Sequence, residues 1–395
     1  MSIRSHPLLE VTLPENLMFD VFSRLPVKAI MTCKCVCKRW RGLVSDPYFV
    51  DLHLFRSSRD QEAALMILEC QNVQQDSNAK PVAYLKWVEI KNEHEHIIDT
   101  IKSLNLKQCE PPIAGGFLLL PVGSVNGLVF CWSTNDYYLY VLNPVLEEYM
   151  TLPPLPPRPL VSLMTFGYGF GVSTAGEYKV VKILINPCEN AVEVQVHTLG
   201  TDQWRRLRPA NLNLAWLQGP GVYLNSHLFW LANDQIYDFD LSTETSELFP
   251  YPPAVAGDNQ EPDRKLGVLK GRLSCICWCS LGGVEVWMRK EESANWYKEI
   301  TILWPCIQLG LQRHKPLCLI DGLEGTSVLL VYVRGADKLV AYCLNTNKIL
   351  NETPFSWSNS LSVITYRPSF FKLDNFGSER VHAMYNHNPQ GKEKS

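Results

Sequence analysis

A chain of 395 residues with 46 % apolar and 19 % charged side chains has room for two or three domains and is a globular chain, not a disordered one. Its formal net charge of −3 gives no global electrostatic reason to expect a nucleic acid or an anionic membrane as partner. Thirteen cysteines, an odd number without a framework spacing, read as reduced thiols in a protein of the cytoplasm or nucleus.

The opening residues MSIRSHPLLEVTLPENL lack a continuous apolar run of signal-peptide length, and residues 1–12 are read as an extension. From residue 13 to 55 the pattern is amphipathic and helical. Leu13, Leu17, Val21, Phe22, Leu25, Ile30, Cys33, Val36, Cys37, Trp40 and Val44 recur at three- and four-residue steps. Leu25-Pro26 marks a boundary, because the residue before proline is pushed out of the helical region. Thr32–Val44 reads as the best single helix of the chain, and Asp46-Pro47 ends it before one further short turn into Leu54. About forty residues cannot bury so many apolar side chains alone, so the surplus needs a neighbour or a partner protein. Lys34, Lys38 and Arg41, at i, i+4 and i+7, form a basic stripe expected to be solvated or to face an acidic partner.

Residues 56–62 are polar and read as a linker, and the pattern then changes. Short β-branched and aromatic runs alternate with Gly, Pro, Asn and Asp at 63–70, 82–90, 125–132, 137–143, 179–185, 191–199, 222–231, 235–241, 273–279, 284–290, 327–333 and 338–344. Residues 111–135 carry no charge, but their prolines and glycines favour two buried strands over a membrane span. A coarse repeat places corners at Asn143, Gly200, Asp240, Arg289 and Asn345, with intervals of 57, 40, 49 and 56 residues. A period near fifty matches a kelch-like propeller blade. Ring closure then requires strands from both ends of the region 63–385 to share a blade, leaving 386–395 as a tail.

Groups with metal or cofactor potential have plainer readings. On one helix Cys35 points away from Cys33 and Cys37, and Cys275, Cys277 and Cys279 on a strand lack the turn of a zinc knuckle, so both sets are expected to be core thiols. His94-Glu95-His96 has no third ligand at a suggestive spacing. Gly167-x-Gly169-x-Gly171 is followed by Val172 where the dinucleotide fingerprint needs its last glycine, so close packing near a propeller axis is expected. No catalytic residue, metal or cofactor is expected. Trp216, Tyr223, Trp278 and Trp357 are candidate exposed aromatics, with blade packing as the default.

The segment LPENLMFDVFSRLPVKAIMTCKCVCKRW, with LP at its start, then RLPVK and KCVCK-x-W, resembles an F-box of the plant type. The later segments NGLVFCW with YVLNP, FGYGFGVSTAGEYKVVKI with DQW, LNSHLFWL with YDFDL, and LGVLKGRLSCI with EVWM and WYKEI are similar to the plant F-box-associated domain. The resemblance implies an α+β multidomain protein, a short helical F-box followed by an all-β kelch-like β-propeller of six or seven blades. It implies docking on a Skp-family adaptor and, through it, a cullin scaffold, with the β domain recruiting an unknown target protein for ubiquitination. Transferred by position, the adaptor-binding residues are Leu13, Pro14, Leu17, Phe22, Leu25, Pro26, Ile30, Val36, Cys37 and Trp40, with Trp40 the favoured anchor. Thr32 and Cys33 depart from the family's Arg and Phe. Two rivals stay open: a β-propeller lectin or enzyme with a vestigial F-box, and an F-box scaffold acting outside ubiquitination.

Overall fold

The computed structural model describes residues 13–57, 64–71, 82–90, 98–105, 119–133, 138–154, 165–186, 191–207, 214, 216–232, 235–253, 263–278, 283–290, 295–303, 314–321, 326–333, 338–354, 361–377 and 380–384. Four helices come first: α1 (Glu15–Phe22), α2 (Val27–Val36), α3 (Lys38–Val44) and α4 (Pro47–Ser57). Pro14 and Pro26 stand at the N-caps of α1 and α2, where fixed φ suits entry into a helix. The expected single helix over Thr32–Val44 is in fact two. Cys37 is extended, with φ −157° and ψ 165°, and its Sγ accepts the Trp40 N–H at 3.5 Å, capping α3. The last helix also outruns the expected short turn and reaches Ser57, inside the polar stretch read as a linker.

Strands follow in order. They are β1 (Ala64–Gln71), β2 (Val82–Ile90) and β3 (Ile98–Asn105); β4 (Leu119–Val125), β5 (Leu128–Ser133), β6 (Leu139–Asn143) and β7 (Glu148–Thr151); and β8 (Thr165–Val172), β9 (Tyr178–Asn186), β10 (Ala191–Thr198) and β11 (Arg205–Leu207). Next come β12 (Leu217–Leu224), β13 (His227–Ala232), β14 (Gln235–Asp240) and β15 (Ser246–Pro250), then β16 (Asp263–Leu269), β17 (Arg272–Trp278), β18 (Gly283–Arg289) and β19 (Trp296–Leu303). The last are β20 (His314–Asp321), β21 (Ser327–Val333), β22 (Lys338–Cys343) and β23 (Lys348–Pro354), followed by β24 (Leu361–Tyr366) and β25 (Val381–Ala383).

All pairings are antiparallel, and the sheets run β24-β1-β2-β3, β25-β7-β6-β5-β4, β11-β10-β9-β8, β12 to β15, β16 to β19 and β20 to β23. The strands β24, β4, β8, β12, β16 and β20 touch in turn around a common axis. Each neighbouring pair of sheets shares an apolar cluster, so the ring is closed by packing as well as by hydrogen bonds. Closure joins the two ends as the ring argument requires: β24 pairs with β1 from Ala64↔Tyr366 to Glu69↔Leu361.

The expected six or seven blades need correction. Five sheets are regular four-stranded blades, and the remaining sheet is a five-stranded composite that takes β25 from the far end of the chain. A corner period cannot register a strand contributed from so far away. The corners themselves have a clear basis. Asn143 Oδ1 accepts the N–H groups of Val145 (2.9 Å) and Leu146 (3.3 Å), and Asp240 Oδ1 accepts that of Ser242 at 2.7 Å. The run 222–231, read as a single strand, is a hairpin that turns at Asn225-Ser226 (φ 49° and 66°), while the two strands expected within 111–135 do turn at Asn126-Gly127 (φ 52° and 79°). Those signs are the ones a two-residue hairpin turn demands.

After β24 the chain does not leave the ring. Ser369 Oγ donates to Asn126 O, and the buried Asn143 Nδ2 donates to Ser369 O (3.2 Å) and Phe371 O (2.7 Å). Phe371 and Phe376 pack on Tyr178, and β25 then joins β7. Residues 367–377 and 380–384 thus form a strap over the second sheet.

Candidate functional site

The helical module divides its apolar residues between two tasks. On α1, Met18 and Phe22 are buried, while Leu17 and Val21 are 49 % and 51 % exposed. Leu13 and Val36 are exposed to 54 % and 60 %. Arg39 Nη2 donates to Leu13 O at 3.1 Å, which fixes Leu13 beside α3. Of the ten large apolar residues exposed among the described residues, six lie in this short module: Leu13, Leu17, Val21, Val36, Tyr48 and Phe55. Apolar side chains gathered on so small a unit are the mark of an interaction surface.

The structure therefore splits the set expected to meet a partner. Leu13, Pro14, Leu17, Pro26, Val36 and Cys37 are exposed, and Leu25 and Trp40 are half-buried. Phe22 and Ile30 are buried in a cluster shared with the first two sheets, so in this arrangement their work is internal. Trp40 packs edge-on against Phe22, with ring centroids 5.0 Å apart. Val21, Tyr48 and Phe55 were not in the expected set. Val21 could have been found from its i, i+4 spacing to Leu17, whereas Tyr48 and Phe55 carry no such signal.

The opposite side of the module rests on the ring and the strap. Phe49 is fully buried against His53 and Phe370. Lys34 Nζ lies 4.4 Å from the Phe370 ring centroid, and Lys372 Nζ donates to Ser45 O at 3.5 Å. Burial pulls the Lys34 ammonium below the ordinary lysine range, with repulsion from Lys372 adding to it. The expected basic stripe is corrected on this point: the break at Cys37 turns α3 away, and Lys34 faces the ring while Lys38 and Arg41 stay exposed. Asp20 ties α4 to α1, bonding Arg24 (3.0 Å) and Arg56 (2.6 Å), and these bonds hold its carboxyl below the usual carboxylate range.

His53 is buried at this seam, with Nε2 3.3 Å from Leu25 O. A carbonyl only accepts, so Nε2 carries the proton and Nδ1 is left as an acceptor without a partner among the described residues. Desolvation pulls the imidazole below the ordinary 6.5, against the opposing pull of the Leu25 carbonyl. The unfolded chain then binds a proton that the folded chain resists, so this stability is complete at neutral pH and is lost as pH falls through and below about 6.5. Thermal midpoints at pH 7.5 and 5.5 are expected to fall further apart in the wild type than in His53→Gln. Equal falls would show that His53 does not carry the effect.

The remaining candidates resolve differently. Cys35 and Cys37 are exposed and Cys33 is intermediate, so the core-thiol reading fails for that set; the helix break sends Cys37 outward as a cap. Cys275 and Cys277 are buried with sulfurs 3.7 Å apart, while Cys279 and His94-Glu95-His96 lie outside the described residues. Among the described residues no group of three potential ligands could hold a metal ion, and no helix is long and apolar enough to cross a membrane. Gly167 and Gly169 lie directly against Trp230, as close packing requires. Trp216 is 39 % exposed, Tyr223 and Trp278 are half-buried, and Trp357 lies outside the described residues.

Two family models match: an F-box-like domain over residues 11–56, and an F-box associated beta propeller domain over residues 82–373. Among curated proteins, the F-box protein CPR1 of Arabidopsis thaliana is 27 % identical over 389 residues, covering 89 % of this chain and 88 % of that protein. An F-box/kelch-repeat protein of the same plant is 26 % identical, with 79 % and 84 % covered. Among solved structures, a periplasmic gluconolactonase of Pseudomonas aeruginosa aligns at 11 % identity and TM-score 0.43, covering 77 % of this chain and 86 % of that one. A likeness that loose carries no functional argument.

Proposed function

The chain belongs to the F-box proteins that carry an F-box associated β-propeller domain, and on that premise we propose that it is the substrate-recognition subunit of an SCF-type ubiquitin ligase. The helical module docks on a Skp-family adaptor, which links it to a cullin scaffold, and the propeller recruits a target protein. The chain works in the cytoplasm or nucleus and supplies no catalytic group. It supplies proximity, making transfer of ubiquitin to the target's lysines effectively intramolecular.

One observation carries this reading. Leu13, Leu17, Val21 and Val36 are exposed on a module whose other face is committed to the ring. The docking set is accordingly narrowed to the exposed members Leu13, Pro14, Leu17, Pro26, Val36 and Cys37, with Leu25 and Trp40 at its edge. Leu13→Ala/Leu17→Ala/Val36→Ala is expected to weaken binding to a purified Skp-family adaptor by about 100-fold or more, since anchor residues each contribute on the order of 1–2 kcal/mol. Its melting temperature should stay within a few degrees of wild type, because exposed sites change stability little. Wild-type adaptor affinity in this variant would remove the docking assignment.

A further inference from the structure

The inner strands β4, β12, β16, β20 and β24 border a cavity of about 490 Å³ on the ring axis. Small-molecule sites span roughly 300–1,000 Å³, so it has room for one compact ligand. Asp263, Arg264, Lys265 and Lys315 put both signs of charge on its wall, so charge does not name the ligand. Its shape does.

Three of the inner strands lose register where they meet the cavity. On β4 the extra residue is Val122, on β12 the break spans Gly219, Pro220 and Gly221, and on β20 it falls at Leu317. All of these residues line the cavity. Bulges bend a strand and re-aim its side chains, and they gather next to functional sites.

Two glycines on the same wall answer no packing need. Gly123 of β4 and Gly267 of β16 do not have positive φ. A Cβ at Gly123 would meet nothing within 4 Å, and one at Gly267 would touch only Leu319, at an ordinary 3.7 Å. Gly169 and Gly221, by contrast, are held to glycine by Trp230. Gly123 adjoins the β4 bulge, but Gly267 lies in unbroken register with β17, so no bulge accounts for it. Glycine inside a strand weakens it, and often marks a place where a ligand approaches closely.

The two glycines also share a level. Each is the fifth residue of a seven-residue strand. From β4, β16 is reached past β8 and β12 one way and past β24 and β20 the other, so the two stand on opposite sides of the axis. Opposite walls without side chains leave a slot. Trp278 and Tyr223, whose Oη donates to Val172 O at 3.2 Å, border the same cavity.

We propose that the axial cavity binds a flat aromatic molecule, its ring faces against the bare backbone of Gly123 and Gly267. The glycines keep the slot open, and the bulges shape the wall around it.

The test is a calorimetric titration of the full-length chain with 2-naphthamide and with its saturated, non-planar analogue decahydronaphthalene-2-carboxamide. Both are neutral and alike in size, so shape separates them. The planar amide is expected to bind at least tenfold more tightly. Gly267→Val places side-chain atoms in the slot and should lower that affinity at least tenfold, while its melting temperature stays within a few degrees of wild type. Should Gly267→Val fail to fold, Gly267→Ala and Gly123→Ala serve the same comparison, each expected to weaken the planar amide. No binding of the planar amide, equal affinities for the two amides, or wild-type planar affinity in all the glycine variants would overturn the proposal. Adaptor affinity of all variants stays at the wild-type level, so this result stands apart from the docking assignment.

Discussion

A chain ending at Pro354 is expected to lose its cooperative unfolding transition. Such a chain lacks β24 and the strap, leaving β1 with an unpaired edge in the middle of the ring. It also lacks Val363, Tyr366, Phe370, Leu373 and Met384, all buried. At roughly 1.5–3 kcal/mol for each buried apolar side chain, the loss is about 8–15 kcal/mol as an upper estimate. A native domain's entire margin is about 5–15 kcal/mol, so nothing is left to hold the ring. Circular dichroism and calorimetry on the truncated chain decide the matter: a midpoint within a few degrees of the full chain would refute ring closure through β24. By the same argument, cutting the chain at any one sheet boundary should not leave two stable halves.

The second large effect is expected inside the ring, at Trp230. This side chain is fully buried, its Nε1 donates to Tyr168 O at 3.2 Å, and three glycines make room for it. A Cβ on Gly169 would stand 2.6 Å from Trp230 Cζ2 and 2.9 Å from Leu228 Cδ1, and one on Gly221 only 2.5 Å from Trp230 Cε2. Gly169→Ala should therefore destabilise by about 1–3 kcal/mol through overpacking. Trp230→Ala should lose about 3–5 kcal/mol through the cavity it leaves. The two changes share a space, so they should not add. In denaturant titrations, Gly169→Ala/Trp230→Phe is expected to be more stable than the sum of its single variants predicts. Strict additivity would mean that the close approach is not what these glycines serve.

These predictions rest on features of unequal visibility in the sequence. The helical module was legible because Leu-Pro twice marks a helix entry and its apolar residues keep a helical step. The break at Cys37 was hidden by the same periodicity: Cys33, Val36, Cys37 and Trp40 keep the step while the backbone between them turns extended. Three-residue arithmetic cannot reveal a cap made by a cysteine sulfur. Strands were legible as apolar runs, yet 222–231 hid a hairpin, since Asn225-Ser226 lacks the glycine that made Asn126-Gly127 plain. Corners were visible where Asn143 and Asp240 bond their own backbone. Gly200 owes its corner to a φ of 88° instead, and Arg289 is simply the last residue of a strand.

The docking face was half legible. Periodicity showed that α1 has apolar residues on more than one side, but which side is spare depends on what covers the other. That cover comes from strands of the first two sheets and, on α4, from Phe370 more than 300 residues downstream, and no local pattern announces it. The strap was invisible for the same reason. Asn143 and Ser369 stand 226 positions apart and meet through a backbone carbonyl, which leaves no trace in residue type.

That distance has a consequence during synthesis. The helices precede the ring in the chain, yet Phe49 and His53 lack part of their cover until Phe370 is made. At roughly 5–20 residues per second, the wait is on the order of tens of seconds. Through that interval the nascent chain displays both the face kept for a partner and the face meant for its own ring. Whatever binds exposed apolar helices in the cell meets this chain before its ring is complete, and the arrival of Phe370 completes the cover of that inner face.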